Sequence, residues 1–327
     1  YGLAAYAASG DLIDLLVGSE GTLAIFTAVE LALIPTAAAT ATVLLAFRDL
    51  ERAVEAAVAA RELGAVACEL LDRTFLAIAE AGDHPLPVPA DTEAVLLIEV
   101  EAPDAAEANR LSRHLLAEVQ RFGLSAAVAA SELKGEQELW SLRHAASPAL
   151  ARLDARLKSM QFVEDAAVPP RAVAQYVHGV RRILAGAETS GVIFGHAGDA
   201  NIHVNPLVDV SDPRWRERVE RIFQEVTDLV VQLGGTTSGE HGDGRLRAPI
   251  LARTWSSATV ELFALVKHSF DPANILNPGA KLPLPGQPLI GAVKYDPALN
   301  PLPIAARRAL DTVERERAYS RSRLDLL

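Results

Sequence analysis

The stretch Gly191-Val192-Ile193-Phe194-Gly195-His196-Ala197-Gly198-Asp199-Ala200-Asn201-Ile202-His203-Val204-Asn205-Pro206 decides how the chain is read. Two apolar runs flank Gly198-Asp199, a turn signal, so the stretch predicts two strands around a tight turn. Side chains alternate across a strand, so His203 and Asn205, two apart, share a face. His196 lies across the turn and can converge on them. Farther along, Ser238-Gly239-Glu240-His241-Gly242-Asp243-Gly244 brings Glu240 and His241 from a separate glycine-rich loop. Two imidazoles and a carboxylate with an open position suit a catalytic zinc-type site. Imidazole serves other transition metals as well, so ligand type alone leaves the metal open. For any one of these histidines the plain alternative is a loop residue in a glycine turn; their combination favours a site. His84, His114, His144, His178 and His268 lack such surroundings and read as surface or satisfied core positions.

Working outward, strands and helices alternate from Thr42. Residues 43–47 read as a strand, and Asp49 caps a helix that ends at Gly64. Residues 94–100 and 126–130 read as strands on either side of a helix over 105–122. Residues 136–157 read as mostly helix, with a restart or kink at Pro148. A strand over 162–168 ends at Pro169-Pro170, and a helix then runs to Ala185. Ser211-Asp212-Pro213 predicts a helix start with Pro at the first position. Trp215, Val219, Ile222, Phe223, Val226, Val230 and Leu233 recur mostly at three- and four-residue steps, up to Gly234-Gly235. Alternating strands and helices predict α+β or α/β layers. Ahead of Thr42, two apolar runs flank Gly18-Ser19-Glu20-Gly21-Thr22, a turn where backbone can approach a ligand. The tail from Pro283 is Pro-rich and then becomes a charged helix.

Composition narrows the class. At 327 residues, half of them apolar, the chain can bury one large core or two ordinary ones. A net charge of −11, from 31 basic and 42 acidic residues, argues against nucleic acid as a partner. Cys68 is the single cysteine, which excludes an internal disulfide and any multi-cysteine metal site and fits a reducing compartment. No apolar run reaches the ~18–20 residues of a membrane span, and no signal-peptide pattern is present.

The motifs resemble those of the FAD-linked oxidases of the vanillyl-alcohol-oxidase type, a family that includes D-lactate dehydrogenase, glycolate oxidase and D-2-hydroxyglutarate dehydrogenase. Residues 15–23, Leu-Leu-Val-Gly-Ser-Glu-Gly-Thr-Leu, are similar to the late segment of the family's flavin domain. Residues 195–203 match its GHxGDGNxH signature, 238–242 its SGEHG, and 270–279 its C-terminal FDPxxxLNPG. The four occur in family order over about 11–282. Two departures are Ala200 and Ala24, where glycine is usual.

The resemblance implies an α+β fold in which an antiparallel sheet backed by helices forms a substrate cap beside a remnant of the flavin domain. It implies divisions at 1–40 (flavin remnant), 41–258 (cap), 259–282 (flavin-side segment) and 283–327 (tail). His196, His203 and Glu240 match metal ligands, for zinc first, with manganese, iron or cobalt as alternatives. His241 matches the catalytic base beside the flavin. Arg143 matches the arginine that holds the substrate carboxylate; Ser147, Lys158 and Asn205 match further substrate-binding groups. Gly18, Glu20, Gly21, Thr22 and Asn277 match FAD contacts. The expected reaction is oxidation of a D-2-hydroxy acid to the 2-oxo acid by hydride transfer to FAD. Candidate electron acceptors are a quinone, a cytochrome or an electron-transfer flavoprotein. A cytoplasmic location is expected, with peripheral membrane association and a homodimer left open. The family's FAD pyrophosphate loop is expected upstream of Tyr1. The alternatives are an inactive substrate- and metal-binding fragment, a metal-dependent hydrolase, and a relative of ether-lipid synthases; the last is disfavoured because their run of consecutive histidines is absent.

Overall fold

The chain enters through two short helices, α1 (Leu3–Ser9) and α2 (Ile13–Leu16), passes the turn at 18–22, and reaches its sheet at β1 (Ala39–Phe47). The computed structural model describes residues 1–81, 88–144, 150, 156–291, 293, 295–298 and 302–316. Helix α3 (Leu50–Glu62) follows, begun by Asp49, whose side chain accepts from the Arg52 N–H. Next come β2 (Ala67–Asp72), α4 (Arg73–Ala81), β3 (Ala94–Ala102), α5 (Ala105–Val119), β4 (Ala126–Ala130) and α6 (Leu133–His144). After them lie β5 (Leu157–Ser159), β6 (Ala166–Ala167), α7 (Val173–Gly186), β7 (Ser190–His196), β8 (Asn201–Asp209) and α8 (Trp215–Gln232). Short helices α9 (Gly244–Arg247) and α10 (Leu251–Thr254) precede α11 (Ser257–Phe270). These belong to a compact unit over Tyr1–Lys294; a second, Tyr295–Leu327, holds α12 (Ile304–Glu316).

The strands form one eight-stranded sheet in the order β4-β1-β3-β2-β7-β8-β5, with β6 also paired to β8. Every pairing is antiparallel. This is the helix-backed antiparallel α+β arrangement, and it settles the choice between α+β and α/β.

The pleat sorts each strand onto two faces. On one face Val43, Leu45, Cys68, Leu70, Leu96, Ile98, Ile193, Ile202, Val204 and Val208 join the apolar sides of α3, α5, α7 and α8. On the other, Leu44, Leu71, Val95, Leu97 and Val192 pack with Phe75 and Leu76 of α4 and Leu139 and Leu142 of α6. The register pairs Leu71 with Phe194 and Glu69 with His196, and pairs Phe194 with His203 and Val192 with Asn205. Glu69, His196, His203 and Asn205 therefore stand on the second face, the one that α6 also covers.

Several expectations differ from the structure. Among the described residues, helix over 136–157 comprises α6 as far as His144 and helical Leu150, and β5 begins at Leu157. The 162–168 strand shrinks to Ala166–Ala167, because the segment before it is used for contacts to the site. Helix α8 starts at Trp215, since Asp212 turns back to accept from the Arg214 N–H. Strand β2 and helix α4 have no counterpart in the expectations above. Residues 24–37 hold neither helix nor strand, and Leu33 and Ile34 are 91% and 89% exposed.

Candidate active site

Strands β7 and β8 approach closely at their turn. A Cβ on Gly195 would lie 2.4 Å from the Asn201 carbonyl oxygen, so glycine is required there. His196 ends β7, and His203 lies on β8, 6% exposed. Their rings meet edge to face at 5.0 Å.

Glu240 and His241 sit on the loop between α8 and α9, and two carboxylates clamp that loop. Asp165, fully buried, accepts from the Glu240 N–H at 3.2 Å and the His241 N–H at 2.9 Å, and from Asn201 Nδ2 at 3.0 Å. Its carbonyl oxygen accepts from the Gly239 N–H. A Cβ on Gly239 would fall 1.7 Å from Asn201 Nδ2, so this approach also demands glycine. On the far side Glu20 accepts from the Asp243 N–H at 2.8 Å and the Gly244 N–H at 2.7 Å. Lys281 Nζ bridges Glu20 and Asp243 at 3.1 Å each.

Held this way, Glu240 Oε1 lies 3.3 Å from His196 Nε2, 3.2 Å from His203 Nε2 and 3.3 Å from His241 Nε2. The opposite ring nitrogens of the first two have their own acceptors. His203 Nδ1 donates to the Glu164 carbonyl oxygen at 2.8 Å, and His196 Nδ1 to Glu69 Oε1. Burial lowers the His203 pKa and favours neutral imidazole, so its Nε2 presents a lone pair to the carboxylate. Two acceptors face each other there, an arrangement that suits a cation between them. For His196, the hydrogen bond to Glu69 raises the imidazole pKa and outweighs burial. His241 stacks on His203 at 5.2 Å with its plane tilted by 1°, and its Nδ1 is 3.6 Å from Glu164 Oε1.

Arg143, near the C-terminus of α6, reaches this cluster through Glu69: its Nε donates to Glu69 Oε2 at 2.6 Å. Its guanidinium carbon lies 4.5 Å from the centre of the Phe194 ring. Burial opposes the charge on Glu69, but the bonds from His196 and Arg143 together outweigh it and hold the carboxyl below its usual range. Arg247 donates to Glu164 Oε1 at 2.6 Å and to the Gly242 carbonyl oxygen at 2.7 Å. Among the described residues, Glu164 Oε2 and Asn205 Oδ1 are buried polar atoms without a hydrogen-bond partner.

The other expected site residues that are described stand outside this cluster. Lys158 pairs with Val208, on the face of β8 opposite to His203 and Asn205, so the pleat directs it away from the cluster. Ser147 lies outside the described residues. Thr22 is buried, and its hydroxyl donates to the Ser19 carbonyl oxygen. Asn277 Nδ2 donates to the Glu20 carbonyl oxygen at 2.7 Å, joining the 18–22 turn to the 270–279 segment. Glu20 has its carboxylate engaged by the Asp243 and Gly244 N–H groups and Lys281, so the turn would meet a cofactor through backbone at exposed Gly18 and Gly21.

Four contributors escape the sequence reading: Glu69, Glu164, Asp165 and Arg247. The acidic three carry only a faint signal, a carboxylate inside otherwise apolar runs at 67–71 and 162–168. A second grouping of possible metal donors, Asp165, His203, Glu240 and His241, has ligand atoms within 4.8 Å of one another. Asp165 already accepts three N–H donors; the grouping shares His203 and Glu240 with the expected ligands, and His196 is not in it.

The helix-backed antiparallel sheet thus carries an imidazole–carboxylate cluster on one face. The sequence over 36–280 matches the model of the family "FAD linked oxidases, C-terminal domain", and the chain belongs to that family. It is 34% identical over 280 residues to the glycolate oxidase subunit GlcD of Bacillus subtilis, covering 85% of this chain and 58% of that protein. It is 32% identical over 270 residues to the D-lactate dehydrogenase of Archaeoglobus fulgidus, covering 82% of this chain and 57% of that one. The chain thus spans little more than half the length of these relatives. In fold it resembles 4-ethylphenol oxidase from Gulosibacter chungangensis, with a TM-score of 0.57 at 16% identity, covering 76% of this chain and 55% of that one. Among the described residues no helix is long and apolar enough to cross a membrane.

Proposed function

We propose that this chain carries the substrate-binding and proton-accepting part of an FAD-linked oxidoreductase that converts a small D-2-hydroxy acid to its 2-oxo acid. The observation that carries the reading is the single oxygen of Glu240 set 3.2–3.3 Å from Nε2 of three histidines. Family membership and the relatives named for glycolate and D-lactate support the substrate class.

His196, His203 and Glu240 would hold a divalent metal, zinc first, with manganese, iron or cobalt as alternatives. Charge supports this. The carboxylates Glu69, Glu164, Asp165 and Glu240 outnumber the guanidinium groups of Arg143 and Arg247 in the described cluster, an excess that a cation would offset. When bound, such an ion acts as a Lewis acid that lowers the pKa of a substrate hydroxyl. The flavin, when bound, supplies the hydride acceptor.

The chain's own groups do the rest. Arg143 grips the substrate carboxylate, its guanidinium oriented by Glu69 and the Phe194 ring. Asn205 offers its unpartnered buried amide oxygen to the substrate. His241 accepts the hydroxyl proton; imidazole is the side chain most often used as a general base. The loop clamp on Asp165 and Glu20 fixes where that ring stands.

The test is pre-steady-state flavin reduction in the FAD-loaded protein with D-lactate or glycolate. His241→Ala should slow reduction on the order of 10²–10⁴-fold, the span usual for a general base. Reduction at the parent rate would remove His241 from this role.

A further inference from the structure

We propose that Glu69 is a positioning residue that sets both arms of the site at once, orienting Arg143 with one carboxylate oxygen and His196 with the other. The inference rests on the reading of Arg143 as the substrate anchor and His196 as a metal ligand.

The placement of Glu69 is unusual for its type. It lies in β2 among buried Cys68, Leu70 and Leu71, and is itself 6% exposed. A charge so placed is tolerated only when it is paired and hydrogen-bonded. Both partners come from distant parts of the chain: Arg143 from the end of α6, and His196 from the end of β7. The register sets Glu69 directly opposite His196. Oε2 accepts from Arg143 Nε at 2.6 Å, and Oε1 from His196 Nδ1.

Each bond has a separate consequence. Acceptance from Nδ1–H fixes the His196 tautomer, so that Nε2 is the nitrogen turned toward Glu240. Acceptance from Nε stops rotation of the Arg143 guanidinium, which keeps its plane over Phe194. A carboxylate can accept on both sides, whereas a carboxamide of the same shape can accept on only one. Glu69 therefore links the anion-binding arm to the metal-binding arm, and no single substitution can preserve both bonds.

Two readouts on the purified chain test this, neither of which is turnover. The first is Co²⁺ affinity, followed by its visible absorption. The second is the His196 ring tautomer in the metal-free protein, read by long-range ¹H–¹⁵N NMR. Glu69→Gln should weaken Co²⁺ binding roughly 10–100-fold, the range for losing a carboxylate behind a ligating histidine. It should also turn a single Nδ1–H form into a mixture. A folded Glu69→Gln protein with Co²⁺ affinity within about twofold of the parent and an unchanged tautomer would overturn the proposal. Parent protein that binds no Co²⁺ would instead end the metal reading, and the tautomer alone would then decide the role of Glu69. Should Glu69→Gln fail to fold, Glu69→Asp is read in the same way, since it keeps the charge but is one methylene too short to reach both partners.

Discussion

Glu240 and the rings around it show how much one carboxylate oxygen can organise. His203 has its Nδ1 tied to the Glu164 carbonyl, so its Nε2 has no proton to give to Glu240. Glu240→Gln should therefore weaken Co²⁺ binding by at least about a hundredfold, as loss of a ligand rather than of its support; calorimetric titration measures it. Ala200 adopts φ +56, a left-handed conformation in which glycine is unstrained. The residue is 1% exposed, and burial of its methyl, worth about 0.8 kcal/mol, recovers part of a cost of roughly 1–2 kcal/mol. The histidines and Glu240 were legible because glycine-rich spacing singled them out. Glu69 was not, since its partners lie 74 and 127 residues away, and only strand pairing brings them together. Lys158 misled for the same reason: its charge was visible, but the pleat that directs it away depends on a register the sequence does not reveal.

At the level of elements, two tethers align the 238–244 loop with the 18–22 turn and the 270–279 segment. Glu20 closes the first. Glu20→Ala should lose about 1.5–3 kcal/mol, the worth of a hydrogen bond to a charged group. Amide exchange at Asp243 and Gly244 should quicken while the sheet stays protected. Lys267 closes the second, donating to the Thr22 and Leu276 carbonyl oxygens and to Asp271. Burial opposes the Asp271 charge, but Lys267 and the N–H groups of Leu276 and Ile275 outweigh it and hold the carboxyl below its usual range. A depressed carboxyl stabilises the fold above the unfolded value of about 3.9, and that contribution is lost as pH falls through the lower folded value. Asp271→Asn should therefore flatten the acid limb of stability below about pH 4, as followed by denaturant unfolding at successive pH values. The Asp49 cap and Gly64 stop made α3 legible, and apolar three- and four-residue steps up to Gly234-Gly235 made α8 legible, although its start lies at Trp215. Strand β2 was hidden because Glu69 and Asp72 interrupt its apolar run, and α4 because it follows without a loop or a glycine to mark it. Residues 24–37 are apolar yet form no element, which periodicity alone does not foretell.

For the whole molecule, the antiparallel sheet divides its labour by face. One face is closed over by α3, α5, α7 and α8, and the other carries the site beside α4 and α6. A strand–helix alternation did not distinguish this from a parallel sheet; the resemblance to the FAD-linked oxidases implied the antiparallel form, and the strand register shows it. A metal that binds only the folded chain stabilises it by mass action, so Zn²⁺ at a hundred times its Kd should add about 2.7 kcal/mol, and a chelator should remove it. Thermal unfolding with and without Zn²⁺ measures this. The central claim is that one cluster holds a divalent ion and a 2-hydroxy acid together. The most direct measurement is the visible spectrum of the Co²⁺-loaded chain titrated with glycolate or D-lactate. A saturable spectral change in the parent, weakened at least about tenfold in Arg143→Met, is the expected result. A spectrum unmoved by either acid, or a change identical in parent and variant, would contradict it.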